Sequence, residues 1–141
     1  MFDQAQSQLN SKRPLVVGDR LNTDIAGGVA AGMDTFQVLT GVSGHYALLT
    51  AIPEQRPTFV ADSLEGFTAD AQELRPGAQG GFTAHVEGEE VILDGGEASA
   101  TPTQALRTAL EAAWAVEDGG LAVARVRTVS DHAAKAVESW W

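Results

Sequence analysis

Residues 14–25, running Pro14-Leu-Val-Val-Gly-Asp-Arg-Leu-Asn-Thr-Asp-Ile25, limit the possible folds more than any other stretch of this chain. Leu15 to Val17 make an apolar run of the length that suits one buried strand. Gly18-Asp19 ends the run and sets a carboxylate at the strand's carboxyl end. Asp24 follows five residues later, where a helix is expected to begin. In open parallel α/β sheets that edge is where ligands bind.

The rest of the first half repeats the alternation. Phe2, Ala5 and Leu9 fall at helical spacing, so Phe2–Leu9 is predicted to be a short amphipathic helix ahead of the Pro14–Val17 strand. Thr23-Asp24 is a plausible helix start, with Ile25, Val29, Ala26 and Ala30 on the buried face and Gly32 as the stop. Asp34–Thr40 is a second strand. Gly41 and Gly44 bracket a turn, His45–Ala51 a helix, Thr58–Val60 a third strand and Ser63–Gly66 a last helical turn. Strand, helix, strand, helix, strand with short connections predicts an α/β class, a doubly wound parallel sheet. About three strands are fewer than such sheets usually hold. The half is therefore expected to be part of a wider sheet.

A change of pattern follows. Residues 67–81, with Pro76-Gly77 and Gly80-Gly81, are expected to be a linker between a 1–66 core piece and an 82–141 α+β domain. Phe82–Val86 and Val91–Leu93 predict an antiparallel hairpin. Thr101-Pro-Thr-Gln104 is a strong helix opening, with proline at the first helical position and a Thr…Gln capping box. Leu106, Leu110 and Trp114, with Ala109 and Ala113, supply its apolar stripe, and Asp118-Gly-Gly120 is expected to end it. Leu121–Val126 is predicted as a strand and Ser130 as the cap of a final helix.

Composition narrows the partners. The net charge is −10, with four basic and seven acidic side chains in residues 1–66 and five and twelve in residues 67–141. Such a surface repels nucleic-acid phosphates and anionic lipid, so neither nucleic acid nor membrane is an expected partner. The chain has no cysteine, hence no disulfide framework and no thiolate metal site or nucleophile. The amino terminus lacks the basic region and apolar core of a signal peptide, so a cytoplasmic location is expected.

Val-Val-Gly-Asp19-Arg-Leu-Asn-Thr-Asp24-Ile, followed by Gly27-Gly28, Ala31-Gly32-Met33 and Val38-Leu-Thr-Gly-Val42, resembles the fourth motif of the haloacid dehalogenase-like (HAD) phosphatases. It is most similar to subclass IIA, which carries a large inserted α/β cap and includes nitrophenyl phosphate, phosphoglycolate and glycerol-3-phosphate phosphatases. Pro57-Thr-Phe-Val-Ala-Asp-Ser-Leu64 looks like the last core strand and turn of that subclass. By this resemblance Asp19 is a Mg²⁺ ligand, Asp24 a weaker or second carboxylate near the metal, and Arg20 a support for the loop. Thr23, Thr40 and Gly41 fall in the same loops as substrate or loop support. Mg²⁺ suits the residue types, because it takes hard oxygens and commonly binds one or two carboxylates plus water and substrate phosphate. The metal would screen phosphoryl charge while a carboxylate attacks phosphorus.

The sequence departs from the family's pattern in what it omits. No Asp-x-Asp occurs in these 141 residues, and the Asp-x-Asp-Gly nucleophile motif, the Ser/Thr motif, the phosphate-binding lysine and the cap all have no counterpart. The resemblance therefore implies the carboxyl-terminal part of a phosphatase of small phosphorylated metabolites, glycerol 3-phosphate or similar, and a chain that is inactive by itself. The second half is similar to the carboxyl-terminal extension of actinobacterial members, likened to an acetyltransferase-like fold. No Gly-rich pyrophosphate loop supports acetyl-CoA binding there, and packing or dimerisation is the expected role.

Plainer readings stand beside these. Asp19 and Asp24 also fit a turn aspartate and a carboxylate facing a helix dipole. Thr40–Gly44 could cradle phosphate at a helix amino terminus or simply form a turn with a capping residue. His45, His85 and His132 are too scattered for metal ligation and fit surface or hydrogen-bonded core positions. Trp114, Trp140 and Trp141 fit core or interface anchors. The alternative to a phosphatase part is a non-catalytic interaction or dimerisation module, with a homodimer as the possible partner.

Overall fold

Both apolar alternations become sheets. The computed structural model describes residues 15–39, 43–63, 71–116, 120–121 and 125–141. The chain divides into two units, one of Met1–Ser43 with Glu54–Arg75 and the other of Gly44–Pro53 with Pro76–Trp141. The expected Phe2–Leu9 helix and most of the Ser63–Gly66 turn lie outside the described residues.

The first unit holds β1 (Leu15–Gly18), β2 (Asp34–Val38) and β3 (Phe59–Ala61), parallel and in that order. Leu15 pairs with Asp34 and Gly18 with Gln37, while Phe36 pairs with Phe59. Thr35 through Val38 are all buried, because a central parallel strand is covered on both faces. One face carries Leu15, Phe36, Val38, Phe59 and Ala61, packed with Leu74. Leu74 comes from a short helix, α3 (Ala71–Leu74), inside the stretch expected to be a linker. The Arg75 guanidinium lies 4.9 Å from the centroid of the Phe59 ring.

Between β1 and β2 the chain forms a wide π-type turn, Leu21–Ile25, that runs into α1 (Ala26–Ala30). Gly28 sets how closely this segment approaches the sheet. A Cβ there would fall 2.5 Å from Thr35 Cγ2 and 3.0 Å from Val16 Cγ2. Gly32 ends α1 as the sequence predicts, at φ +72°, with its N–H donating to Val29 O and the Met33 N–H to Gly28 O. That pair of bonds is the Schellman ending, which glycine adopts without a Cβ penalty.

The second unit begins with α2 (His45–Leu49), a helix that chain order alone groups with the first half. Its partners are in the carboxyl-terminal half. Trp114 Nε1 donates to Leu48 O at 2.9 Å, and the Tyr46 N–H donates to Trp141 O at 3.1 Å. The strands β4 (Phe82–Glu87) and β5 (Glu90–Gly95) form the expected antiparallel hairpin. The last strand, β6 (Arg125–Thr128), runs parallel to β5 with Glu90 opposite Arg125. It overlaps the predicted Leu121–Val126 strand, of which residues 122–124 lie outside the described set.

The long helix α4 (Pro102–Trp114) joins β5 to β6 and buries Ala105, Leu106, Ala109, Leu110 and Ala113. Each buried leucine contributes about 1.5–3 kcal/mol relative to exposure. Both halves of the capping box form, with Gln104 N–H donating to Thr101 Oγ1 and Thr101 N–H to Gln104 Oε1. The helix closes at Trp114, before the Asp118-Gly-Gly120 stop expected from sequence. Ser130 caps α5 (Asp131–Val137), accepting from Ala133 N–H at 3.0 Å. Among the described residues no helix is long and apolar enough to cross a membrane.

Candidate functional site

The site is built where β1 ends. Gly18 and Asp19 are half-buried at the carboxyl edge of the first sheet, and Arg20 is exposed in extended conformation. Thr23 is exposed and Asp24 half-buried within the π-type turn. The helix therefore begins before Thr23-Asp24, the start expected from sequence. The first turn is closed instead by Ile25 N–H donating to Arg20 O at 3.2 Å and by Ala26 N–H reaching back to Leu21 O. Widened turns of this kind recur at functional sites in other proteins.

Widening the turn lets Asp24 fold back over Gly18. A Cβ on Gly18 would fall 2.5 Å from Asp24 Oδ2, so the glycine leaves the space that the carboxylate fills. Asp24 is thereby brought beside the residue preceding Asp19, so two carboxylates share one strand end. Among the described residues neither is held in an ion pair. Hard anionic oxygens of this kind suit Mg²⁺ with water and phosphate completing the shell. Two carboxylates alone are not a full protein cage, and no group of three or more His, Asp or Glu could hold a metal among the described residues.

The loop after β2 is tied to this strand end. Ser43 N–H donates to Asp19 O at 3.1 Å, and Ser43 Oγ accepts from Leu21 N–H at 3.2 Å. Gln37, fully buried on β2, donates through Nε2 to Asp19 O and to Ser43 O, each at 3.1 Å. Sequence reasoning missed Gln37 altogether. The signal available was an amide between Phe36 and Val38, in a strand that a parallel sheet covers on both faces. Thr40 and Gly41 lie outside the described residues; of the rest of the expected set, Asp24 lies against Gly18 beside Asp19, while Arg20 and Thr23 are exposed on the same loop.

All three histidines belong to the second unit. His45 belongs to the second unit, where its ring stacks on Trp140 at 5.3 Å and meets the edge of Trp141 at 4.6 Å. Burial lowers its pKa to about 4. His85 is exposed beside Glu87, and His132 is exposed at the start of α5.

Residues 1–67 match the HAD-hydrolase-like family. The matched segment belongs to that family, and the likeness supports the carboxyl-terminal part of a subclass IIA phosphatase fold. The D-glycerol 3-phosphate phosphatase of Mycobacterium tuberculosis (strain ATCC 25618 / H37Rv) is 36% identical over 93 residues, which is 66% of this chain and 26% of that protein. Two crystal structures of a glycerol phosphate phosphatase from Mycobacterium tuberculosis, one with magnesium and one with calcium, match 98% of this chain at 29% identity. Their TM-scores are 0.79 and 0.80, and this chain covers 40% and 41% of theirs. The 141 residues thus span about a quarter of the curated relative's length and two fifths of the solved chain.

Proposed function

We propose that this chain supplies the metal-side edge of a Mg²⁺-dependent phosphomonoesterase acting on a small phosphorylated metabolite, and that its 141 residues do not turn over substrate unaided. The carrying observation is the paired carboxylates at the end of β1, Asp19 in the motif and Asp24 folded over Gly18. Asp19 would hold the metal, with Asp24 as a second carboxylate, while Arg20, Thr23, Thr40 and Gly41 support the two loops. A bound Mg²⁺ would screen the charge of the phosphoryl group. The relatives' activity makes glycerol 3-phosphate the first substrate to test. The absence of any Asp-x-Asp in the sequence supports the second clause, because no motif nucleophile is present to attack phosphorus. A cytoplasmic setting fits an acidic chain without cysteine.

The test is phosphate release by purified residues 1–141 from nitrophenyl phosphate and glycerol 3-phosphate, with and without Mg²⁺. No turnover is expected. Mg²⁺-dependent turnover that Asp19→Asn abolishes would show the chain to be active alone and overturn the second clause.

A second reading, an interaction or homodimerisation module, draws on Trp141, which is 51% exposed at the surface of the second unit. Light scattering decides it. A dimer that Trp141→Ser converts to monomer would favour this role for the second unit.

A further inference from the structure

Asp19 is held by its backbone, and the residue that holds it is Gln37. The Gln37 amide nitrogen donates to the carbonyl oxygens of Asp19 and Ser43, each at 3.1 Å, with Val38 O a longer contact at 3.5 Å, which fixes which end of the amide faces the loops. Ser43 adds two more ties, its N–H to Asp19 O and its Oγ from Leu21 N–H. Two hydrogen bonds therefore join the loop after β1 directly to Ser43, and two more from Gln37 tie both loops to β2, so that the four bracket residues 19–21. Gln37 holds this place at a cost. Its Oε1 is fully buried and accepts no hydrogen bond among the described residues. A leucine or methionine would fill the same core volume without stranding an acceptor. The donors of Nε2 are what the glutamine adds.

We propose that Gln37 and Ser43 are positioning residues: they fix the backbone of Asp19–Leu21 to the second loop, so that the Asp19 carboxylate is presented in one orientation. The link to metal rests on the reading of Asp19 as a Mg²⁺ ligand, whereas the brace itself stands on the four hydrogen bonds. Neither side chain touches substrate or metal in this scheme. Each acts through the backbone of the Asp19 loop.

Residues 1–141 and the variants Gln37→Met, Ser43→Ala and Asp19→Asn would be compared by amide hydrogen exchange and by Mn²⁺-induced broadening of amide resonances at residues 18–24. Gln37→Met keeps the volume and removes both donors. The expected result is exchange about tenfold faster at Ser43 and Leu21, the factor that about 1.4 kcal/mol represents. Mn²⁺ broadening at 18–24 should then need about tenfold more metal, with resonances of β3 and the second unit unchanged. Unchanged exchange in Gln37→Met overturns the proposal, because a residue that only fills space would behave that way. If Gln37→Met does not fold, Ser43→Ala decides: faster exchange at Leu21 supports the brace, and unchanged exchange refutes it. Faster exchange without any Asp19-dependent Mn²⁺ broadening in the parent chain supports the brace and refutes the metal reading of Asp19.

Discussion

Lowering the pH from 7 to 4 should destabilise the second unit through one imidazole. His45 is 3% exposed, enclosed by the Trp140 ring stacked on it and the edge of Trp141, and desolvation lowers its pKa from 6.5 to about 4. Charging the ring inside this cage is unfavourable, whereas the unfolded chain protonates it freely. Between pH 6.5 and 4 the unfolded state therefore binds the proton that the folded state refuses. Stability is full above the unfolded pKa of 6.5 and falls as the pH drops towards 4, where the loss levels off. At about 1.4 kcal/mol for each tenfold change in proton affinity, the gap is worth roughly 3 kcal/mol. The assay is urea unfolding followed by tryptophan fluorescence at a series of pH values. Trp114, Trp140 and Trp141 are the chain's three tryptophans and all lie in the second unit, so the signal reports on that unit alone. His45→Phe keeps an aromatic ring in the cage and removes the titration. Its midpoint should be flatter than the parent's across pH 4–6.5. An equal pH slope in both proteins would refute the assignment to His45.

Two further substitutions probe the scaffolds of the two units. Gly28→Ala drives a methyl into Thr35 Cγ2 and Val16 Cγ2 and should cost about 1–3 kcal/mol, read as a lower urea midpoint for amide signals of β1–β3. No change there would mean that α1 can back away from the sheet. Thr101→Ala removes the oxygen that accepts from Gln104 N–H and should lower the fluorescence-detected stability by about 1 kcal/mol. An unchanged midpoint would show that the capping box contributes nothing to α4.

Legibility followed how local the cause was. The opening of α4 was readable because the cap, the proline and the stripe of Leu106, Ala109, Leu110 and Ala113 lie within thirteen residues. The end of α1 was readable because only glycine accommodates φ +72° at residue 32 without strain. The far end of α4 was not, since the helix closes on Trp114, whose indole reaches Leu48 from 66 positions away. Asp24 looked like the acid of a helix start. Its true setting depends on empty space at Gly18, which no residue type announces. Gln37 was hidden for a related reason: alternation implies an outward polar face, but β2 has no outward face. The motif marked the strand end where Asp24 folds over Gly18. Gln37, which donates to Asp19 O, lies on another strand 18 positions on.

The excursion of Gly44–Pro53 out of the first unit bears on how the protein is made. On a ribosome, His45–Leu49 emerges ahead of the side chains that enclose it, which belong to residues 114, 140 and 141. His45 and Trp141 are 96 positions apart. Until those partners are synthesised, a helix of five residues is too short to persist alone. The second unit therefore cannot be completed while translation is in progress through α4. A contiguous segment cut at residue 75 would lack this helix, and Trp114 would lose the Leu48 carbonyl its indole meets.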